Sequence, residues 1–387
     1  MRNFPLVLGT CCFAVTVWQV REALKNTTYE GRPAIVLSNG TLELTVTLQG
    51  GTFANLILKD DPEKLSPLWK RELGTTPLAT NVGGHFVCVD GFGPVSAEER
   101  AAGLPNHGEA HLVDMEARTE QRGQTNSVTL TGKLPIVLET FTRTVLMVDG
   151  ENVVYVESRL DNLLSFDRPV NWAEHATIGS PFLESGATFV DLSGSQGHTR
   201  PWQQATGNNQ MQRRLAPDKD FTWPNAPSVD GKRIDLRTTP EDPHYVDHSA
   251  VLLDPLSKTG WVTAMNVKKG LMIGWVFSRE EYPWLQLWGN FPPTGKMARG
   301  LEFSTQPYDV SRREVLSVPA LFNVPAYRWL PAKSRIETRF LLFYARIPGR
   351  FHKVDEVKIE SGLIRVTDKR AQQEVTLKAS LAAQMFP

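Results

Sequence analysis

The chain has 387 residues, of which 41% are hydrophobic and 22% charged, and its 42 Lys and Arg residues balance 42 Asp and Glu residues. This length accommodates two average domains or one large all-β domain. The zero net charge gives no basis for predicting electrostatic capture of nucleic acid or of an anionic membrane, and it is compatible with a neutral ligand.

The chain begins with an apolar segment. Arg2 precedes an apolar run from Phe4 to Val17. The run is shorter than the roughly 20 residues of a membrane-spanning helix and has the length of the apolar region of a signal peptide. We therefore predict that residues 1–23 are a signal peptide or an N-terminal membrane anchor, with Ala23 as the cleavage edge, and that the protein is exported to the periplasm or the medium. The alternative is a buried apolar N-terminal element.

Cysteine usage is sparse. Cys11 and Cys12 lie in the apolar N-terminal segment, which leaves Cys88 as the one thiol of the remaining chain. One thiol cannot form an internal disulfide, and no CxxC pair is present for zinc. Cys88 lies in the apolar run HFVCVD, which favours a small core residue over a nucleophile.

Strand patterns dominate the rest of the chain. In TLELTVTL, residues 41–48, apolar and polar residues alternate, the following QGG is a turn signal, and TFANLILKD resumes a strand. Similar runs are SVTLTG, LETFTRTVLMVDG, NVVYVESRLDNL, TRFLLFYARI and EVKIESGLIRVTD. The helical pattern is confined to one or two turns in SAEERAAG, near Ser96. Many strands without intervening helices predict an antiparallel sandwich or barrel, and no linker divides residues 29–387, so we predict a single all-β domain.

Residues 194–233 are polar and rich in Gly, Pro and Asn. They resemble an interdomain linker, but the aromatic residues Trp202, Phe221 and Trp223 favour a long loop packed on the domain. Long ordered loops on a β scaffold are often binding loops.

The first candidate cluster is LPNHGEAH, where His107, Glu109 and His111 follow one another at every second position. On a strand the three side chains would share one face and could hold a metal. Pro105 and Gly108 favour a loop here, and we expect no metal. A contact between His107 and a sugar hydroxyl is the preferred interpretation.

The second cluster is the pair Glu174–His175 in NWAEHATIGSPFLE. A histidine titrates near neutrality and can give a proton to a ring or leaving oxygen. A core histidine held by its carboxylate neighbour explains the pattern equally well.

Two further clusters contain isolated polar residues on apolar strands. VDHSAVLL begins with Asp247 and His248, where a cap or turn is the default explanation. WLQLWGNF and GLEFSTQP contain Trp288, Asn290 and Glu302. If Glu302 is buried, its pKa is raised and it suits a general base, whereas a surface glutamate is the alternative.

Several motif classes are absent from the sequence. There is no glycine-rich phosphate loop, no HExxH, no GxSxG, no basic and aromatic nucleic-acid pattern, and no arginine cluster that indicates a sugar phosphate. Trp and Phe are plentiful, and their flat faces suit sugar rings as well as β cores.

Taken in order, the segments from about Ile35 to Ile347 resemble the aldose 1-epimerase (galactose mutarotase-like) superfamily. VLSNGTLELTVTLQGGTFANLIL is similar to its opening hairpins, and FTRTVLMVDGENVVYVESRLDNLLSFDRPVNWAEHATIGSPFL to its central signature. VDHSAVL and GLEFSTQP resemble its Asp-His strand start and its late glutamate segment. EHATIGSPF lacks the Pro-Tyr that follows the family's histidine, which indicates a divergent bacterial branch.

The resemblance implies a β-supersandwich of antiparallel sheets and a set of roles. By this analogy Glu302 is the base at the anomeric hydroxyl and His175 the acid at the ring oxygen. His107, Asp247 and, less directly, Trp288 and Asn290 would hold the sugar.

The expected function is therefore the interconversion of sugar anomers by ring opening and reclosure, without a cofactor and with a small carbohydrate as the partner. Two alternatives remain open, a non-catalytic carbohydrate-binding protein on the same fold and a lyase or hydrolase acting on oligosaccharides.

Overall fold

A computed structural model of the chain describes residues 24–72, 81–201 and 211–386. Strands make up 53% of it and helices 4%, so the predicted all-β class is confirmed. The first strand begins at Leu24, before the expected start of the domain at residue 29. The apolar N-terminal segment and Trp202 lie outside the described residues, and the predicted export signal therefore stays a prediction.

The larger sheet of the described residues has 13 strands, which are numbered in chain order through the molecule. From one edge of the sheet to the other they are β1 (Leu24–Tyr29), β2 (Arg32–Ser38), β3 (Leu42–Thr47), β4 (Phe53–Leu58), β5 (His85–Val89), β11 (Trp172–Gly179), β21 (Ala298–Ser304), β20 (Trp284–Phe291), β17 (Tyr245–Leu253), β13 (Gly194–Thr199), β14 (Asp220–Thr222), β15 (Asn225–Pro227) and β16 (Arg233–Asp235).

The second sheet has eight strands within the described residues, and all the strand pairs of both sheets are antiparallel. In spatial order they are β12 (Thr188–Leu192), β18 (Thr259–Asn266), β19 (Leu271–Ser278), β25 (Arg335–Arg346), β9 (Val153–Asn162), β8 (Glu139–Val148), β7 (Thr125–Leu134) and β6 (Glu116–Arg122).

Smaller elements complete the described structure. Their bounds are β10 (Arg168–Val170) paired with β24 (Arg328–Leu330), β22 (Ala320–Leu321) paired with β23 (Val324–Pro325), the three-stranded sheet β26 (Glu356–Glu360), β27 (Leu363–Asp368) and β28 (Gln373–Lys378), and the short helices α1 (Ala97–Ala101), α2 (Arg312–Ser317) and α3 (Ala382–Met385). No helix in the described part is long and apolar enough to cross a membrane.

The first strong sequence pattern folds as its periodicity predicts. Leu42, Leu44 and Val46 on β3 are fully buried on one face, because successive strand side chains point to opposite sides. The QGG turn contains Gly50 and Gly51 in the left-handed region, which a residue with a side chain rarely adopts. The hairpin β3–β4 follows directly from these features.

The core lies between the two large sheets. One cluster of buried side chains joins the inner face of the larger sheet, including Leu44 and Phe303, to that of the smaller one, including Phe141 and Val156. A second cluster covers the outer face of the smaller sheet with β26–β28 and α3. The smaller sheet is thus apolar on both faces, whereas the larger sheet has one face free for other chemistry.

The centre of this core contains a polar network around Glu174 on β11. Its Oε1 accepts a hydrogen bond from Arg143 Nη2 at 2.5 Å, and its Oε2 accepts one from His85 Nε2 at 3.0 Å. Trp172 and Tyr282 also donate to Oε1. Burial raises the pKa of Glu174, but Arg143 and His85 more than offset this and hold the pKa below the usual carboxyl value. The carboxylate is therefore charged and fully paired between the sheets.

The predicted loop over residues 194–233 is corrected by the structure. Four strands, β13 to β16, lie in this region and extend one edge of the larger sheet. Phe221 is buried, with its ring against Gly197, where a side chain would clash. Phe221 and Trp223 thus pack on the domain as expected.

We predict that Glu174→Gln lowers the free energy of unfolding by ~3–5 kcal/mol, because it leaves the buried Arg143 charge without its partner. The matched control is Glu374→Gln, whose partner Arg365 lies at 2.6 Å on the exposed surface. That change is expected to leave the free energy of unfolding nearly unchanged, because exposed ion pairs contribute little. Urea titration measures both, and similar small losses for the two variants would contradict the role assigned to Glu174.

Candidate active site

The pair Glu174–His175 is divided between two sides of the larger sheet. Glu174 points into the core, and His175, the next residue of β11, points to the outer face. His175 lies in a cavity of about 1410 Å³ on that face. Small-molecule sites typically measure ~300–1,000 Å³, so this cavity has room for a sugar ring and for substituents beyond it.

Glu302 on β21 meets His175 in the cavity. Its Oε1 lies 3.2 Å from His175 Nε2 and, within the described residues, accepts no hydrogen bond. Its Oε2 accepts a hydrogen bond from Gln286 Nε2 on β20 at 2.8 Å. One carboxylate oxygen is therefore held by Gln286, and the other is buried beside His175 with its hydrogen-bonding capacity unused.

The two groups have opposite pKa shifts. Burial, reinforced by Asp309, raises the pKa of Glu302 well above its usual value, while Gln286 and Arg200 act in the other direction. Burial, with His107 nearby, lowers the pKa of His175 well below its usual value. Such a pair carries one proton between its two titration steps, and the two shifts favour that proton on Glu302.

A glycine makes this geometry possible. Gly300 precedes Glu302 by two residues on the same face of β21, and a Cβ atom built there would lie 2.0 Å from Glu302 Oε1. The carboxylate thus lies over Gly300, where any other residue would occupy its place. A glycine inside a strand often marks such a close approach.

Aromatic rings orient His175. Its ring stacks on Phe86 with centroids 4.2 Å apart, and Trp288 on β20 lies with its centroid 6.2 Å away. Nδ1 of His175 lies 2.9 Å from the hydroxyl of Thr177. When that hydroxyl donates to Nδ1, the proton of the imidazole is on Nε2, which faces Glu302.

His107 also lines the cavity, in a left-handed turn with φ of 67°. Its Nδ1 accepts from the backbone N–H of Gly93 at 3.3 Å. The next residue, Gly108, is required because a Cβ there would lie 2.0 Å from the carbonyl oxygen of Val89. Burial lowers the pKa of His107 to about 3, so it is neutral and offers Nε2–H to a ligand.

The spacing of His107, Glu109 and His111 does not produce a shared ligand face. Glu109 accepts from the backbone N–H groups of Ile136 and Val137. His111 contacts the Asn81 side chain and a backbone carbonyl. In the described part of the chain, no group of three His, Cys, Asp or Glu side chains is placed to hold a metal.

Asp247 and Asn290 do not line the cavity. Asp247 points to the other face of β17 and accepts from Arg214 Nε at 2.8 Å. Its neighbour His248 faces the cavity instead. Asn290 is on the same face of β20 as Trp288 but lies beyond the cavity wall.

The sequence analysis missed several groups that line the cavity, among them Gln286, Asp309, Arg200, Arg213 and Arg71. Gln286 could have been found, since it is two residues before Trp288 and strand side chains repeat with a period of two. Arg71, Arg200 and Asp309 reach the cavity from loops outside the strands. No local pattern in the sequence places these three in the cavity.

Cys88 is buried on β5, and burial raises the pKa of its thiol. Its Sγ lies 3.4 Å from His107 Nδ1. A protonated, buried thiol fits the predicted role as a core residue.

Comparisons with known proteins were made at the level of sequence and of structure. No protein-family model matches the chain, and no curated protein matches its sequence. A galactose mutarotase-like protein from Clostridium acetobutylicum superimposes with a TM-score of 0.59 at 16% identity, covering 84% of this chain and 98% of that one. A galactose mutarotase related enzyme from Lactobacillus acidophilus gives a TM-score of 0.54 at 12% identity, with 84% and 100% covered.

These similarities show that the chain has the galactose mutarotase-like fold, which confirms the predicted β-supersandwich. At such low sequence identity, a structural similarity establishes the fold but not the activity. The chemistry of the site has to be argued from its own residues.

We predict that Gly300→Ala displaces Glu302 from His175 without unfolding the protein. Real Cβ contacts are essentially never under 3.0 Å, so the carboxylate oxygen has to move until at least that distance separates the two atoms. Gly349→Ala is the matched control, because a Cβ at Gly349 meets nothing within 4 Å. Crystal structures and melting curves of both variants test this, and an unmoved Glu302 in Gly300→Ala would contradict it.

Proposed function

We propose that this protein interconverts the anomers of a sugar by opening and reclosing its ring. The observation that carries the proposal is the pair of Glu302 Oε1 and His175 Nε2, 3.2 Å apart in the wall of a cavity large enough for a sugar. Opening a cyclic hemiacetal needs a base at the anomeric hydroxyl and an acid at the ring oxygen.

The pair carries one proton, which the pKa shifts favour on Glu302 in the free protein. The reaction uses the form in which this proton has moved to His175, so that the pair consists of a carboxylate base and an imidazolium acid. Glu302 takes the proton of the anomeric hydroxyl while His175 gives one to the ring oxygen, and the C1–O5 bond breaks to leave an open-chain aldehyde. Rotation about C1–C2 followed by the reverse transfers closes the ring as the other anomer, so no proton is consumed.

The remaining groups of the cavity support binding. Neutral His107 offers a hydrogen-bond donor, and Trp288 with Trp69 provides flat apolar surfaces, their centroids 6.2 Å apart. Arg71 lies over the Trp69 ring at 5.2 Å and can reach ring hydroxyls. The proposal needs no cofactor, and every step uses side chains of this chain.

We expect Glu302→Gln and His175→Asn each to reduce catalysed anomer exchange by ~10²–10⁴-fold, since each removes one of the two proton-transfer groups. The double variant is expected to be no worse than the poorer single one, because the two groups act as a unit. Saturation-transfer NMR across a panel of free aldoses measures the exchange rate, with the surface change Glu374→Gln as control.

Three results would redirect the proposal. Saturable sugar binding without exchange by the wild type would identify a binding protein, and release of product from an oligosaccharide would identify a lyase or hydrolase. Full activity in either single variant would remove Glu302 and His175 from the chemistry.

The pH dependence of kcat/KM is expected to be a broad bell. The pair is inactive when it carries two protons, and because the pKa of His175 is lowered, this limit falls below the ordinary histidine value of about 6.5. It is also inactive when it carries none, and because the pKa of Glu302 is raised, this limit falls well above the ordinary carboxyl value. A single limb rising through about pH 6.5 would instead indicate one ordinary histidine acting alone.

A further inference from the structure

One end of the cavity contains basic side chains whose hydrogen-bonding groups are only partly satisfied by the described residues. The end is formed by Arg200, Arg213 and His248, next to Asp309, and we refer to it as the donor end. Within the described residues, Arg200 Nε and His248 Nδ1 are buried without a hydrogen-bond partner. No carboxylate or carbonyl of the described residues pairs with the Arg213 side chain. A ligand that fills this end must therefore bring acceptor oxygens.

The charge of the donor end is that of one unpaired guanidinium. Arg200 Nη1 donates to Asp309 Oδ1 at 2.5 Å, and its Nη2 donates to the carbonyl oxygen of Asp309 at 2.8 Å, so this pair is neutral as a whole. Burial, together with Arg200 and Arg213, lowers the pKa of His248 well below its usual value, so His248 is uncharged. Arg213 keeps its charge, because a guanidinium is not deprotonated in proteins. The net charge of Arg200, Asp309, His248 and Arg213 together is therefore +1.

Two further carboxylates lie on the exposed side. Asp218 and Asp220 flank His198 Nε2 at 3.4 and 3.7 Å, with about three quarters of each side chain accessible to solvent. Their charges are screened by water and do not neutralise Arg213.

Contacts of the neighbouring residues with β17 hold the segment that carries Arg213. Its neighbour Arg214 is anchored by Asp247, with Nε and Nη2 at 2.8 and 2.6 Å from Oδ2. The backbone N–H of Val246 on β17 donates to the Gln212 carbonyl at 2.9 Å. Asp247 therefore acts on the cavity indirectly, by holding the segment that presents Arg213.

Three successive contacts link the donor end to the reacting carboxylate. Gln286 donates to Glu302 Oε2 at 2.8 Å, and its Oε1 accepts from the backbone N–H of Asp309 at 2.6 Å. Asp309 in turn accepts from Arg200. The donor end and the Glu302–His175 pair line the same cavity, so a substituent of a ring bound at the pair can point towards this end.

Resting on the function proposed above, we propose that the substrate carries a single carboxylate and that the donor end binds it, which makes a uronic acid the substrate class. Arg213 would pair with the carboxylate, and Arg200 Nε would donate to one of its oxygens. A carboxylate matches the planar geometry of a guanidinium and the single excess charge, whereas a phosphate dianion exceeds that charge.

Isothermal titration calorimetry tests this with a matched set of sugars: glucuronic acid, glucose, the methyl ester of glucuronic acid and glucose 6-phosphate, with the galacto series in parallel. We expect the wild type to bind one uronic acid at least tenfold more tightly than its neutral sugar and its ester, in keeping with a charge-assisted hydrogen bond. Arg213→Gln is expected to remove that preference and Arg213→Lys to keep part of it.

The control is Arg313→Gln at the cavity rim, where Arg313 pairs with Glu98 at 2.6 Å and the preference should be unchanged. Asp247→Asn should weaken uronate binding without affecting glucose binding, because it loosens the segment that carries Arg213. Equal affinity for acid, ester and neutral sugar, or an unaltered preference in Arg213→Gln, would overturn the proposal. Tighter binding of glucose 6-phosphate than of either uronic acid would overturn the carboxylate assignment.

Measuring binding and anomer exchange separately distinguishes the proposed carboxylate site from the proposed reaction. Uronate-selective binding without any anomer exchange would support the donor end and contradict the proposed function. Exchange of neutral aldoses with no preference for the acid would do the reverse.

Discussion

The two-residue periodicity of β11 is the constraint on which both the core and the site depend. Because successive side chains point to opposite faces, Glu174 is committed to the core as soon as His175 is committed to the cavity. In the core Glu174 is paired with Arg143 and His85, which come from β8 and β5. These contacts fix the register and tilt of β11, and a fixed β11 gives His175 a defined position. A one-residue slip would place a charged carboxylate in the cavity and an imidazole opposite Arg143.

On β21, β20 and β17 as well, one face packs in the core and the other face lines the cavity. Leu301 and Phe303 pack in the core on either side of Glu302. Gln286 supports Glu302 from β20, and His248 reaches the cavity from β17 while its neighbour Asp247 faces the other way. Precision at the site thus comes from strands whose inner faces are locked by packing, so the groups that move a proton need little reorganisation. Loops supply Arg71, Arg200 and Arg213, as is common for binding residues on a rigid scaffold.

The all-β class could be predicted from the sequence because alternation and turn glycines are local signals. Glu302, His175, His107 and Trp288 were identified from the sequence as site residues, and the structure brings all four to one cavity. Whether Asp247 or His248 faces the cavity could not be predicted from the sequence, since the two residues are adjacent and both polar. In the structure Asp247 pairs with Arg214 on the other face of β17, and His248 faces the cavity. Arg200 and Arg213 are separated from the other cavity residues by long stretches of chain, so their convergence is a property of the tertiary fold. A search for arginines that are close together in the sequence therefore does not find this group.

The proposed chemistry is tested most directly by a crystal structure of Glu302→Gln with a bound aldopyranose, because this variant keeps the shape of the site and slows turnover. We expect the anomeric hydroxyl to lie within hydrogen-bond distance of the residue 302 side chain and the ring oxygen within that distance of His175 Nε2. A uronic acid should place its carboxylate at Arg213. A sugar bound elsewhere in the cavity, with neither oxygen near the residue 302–His175 pair, would contradict the proposed roles of both residues.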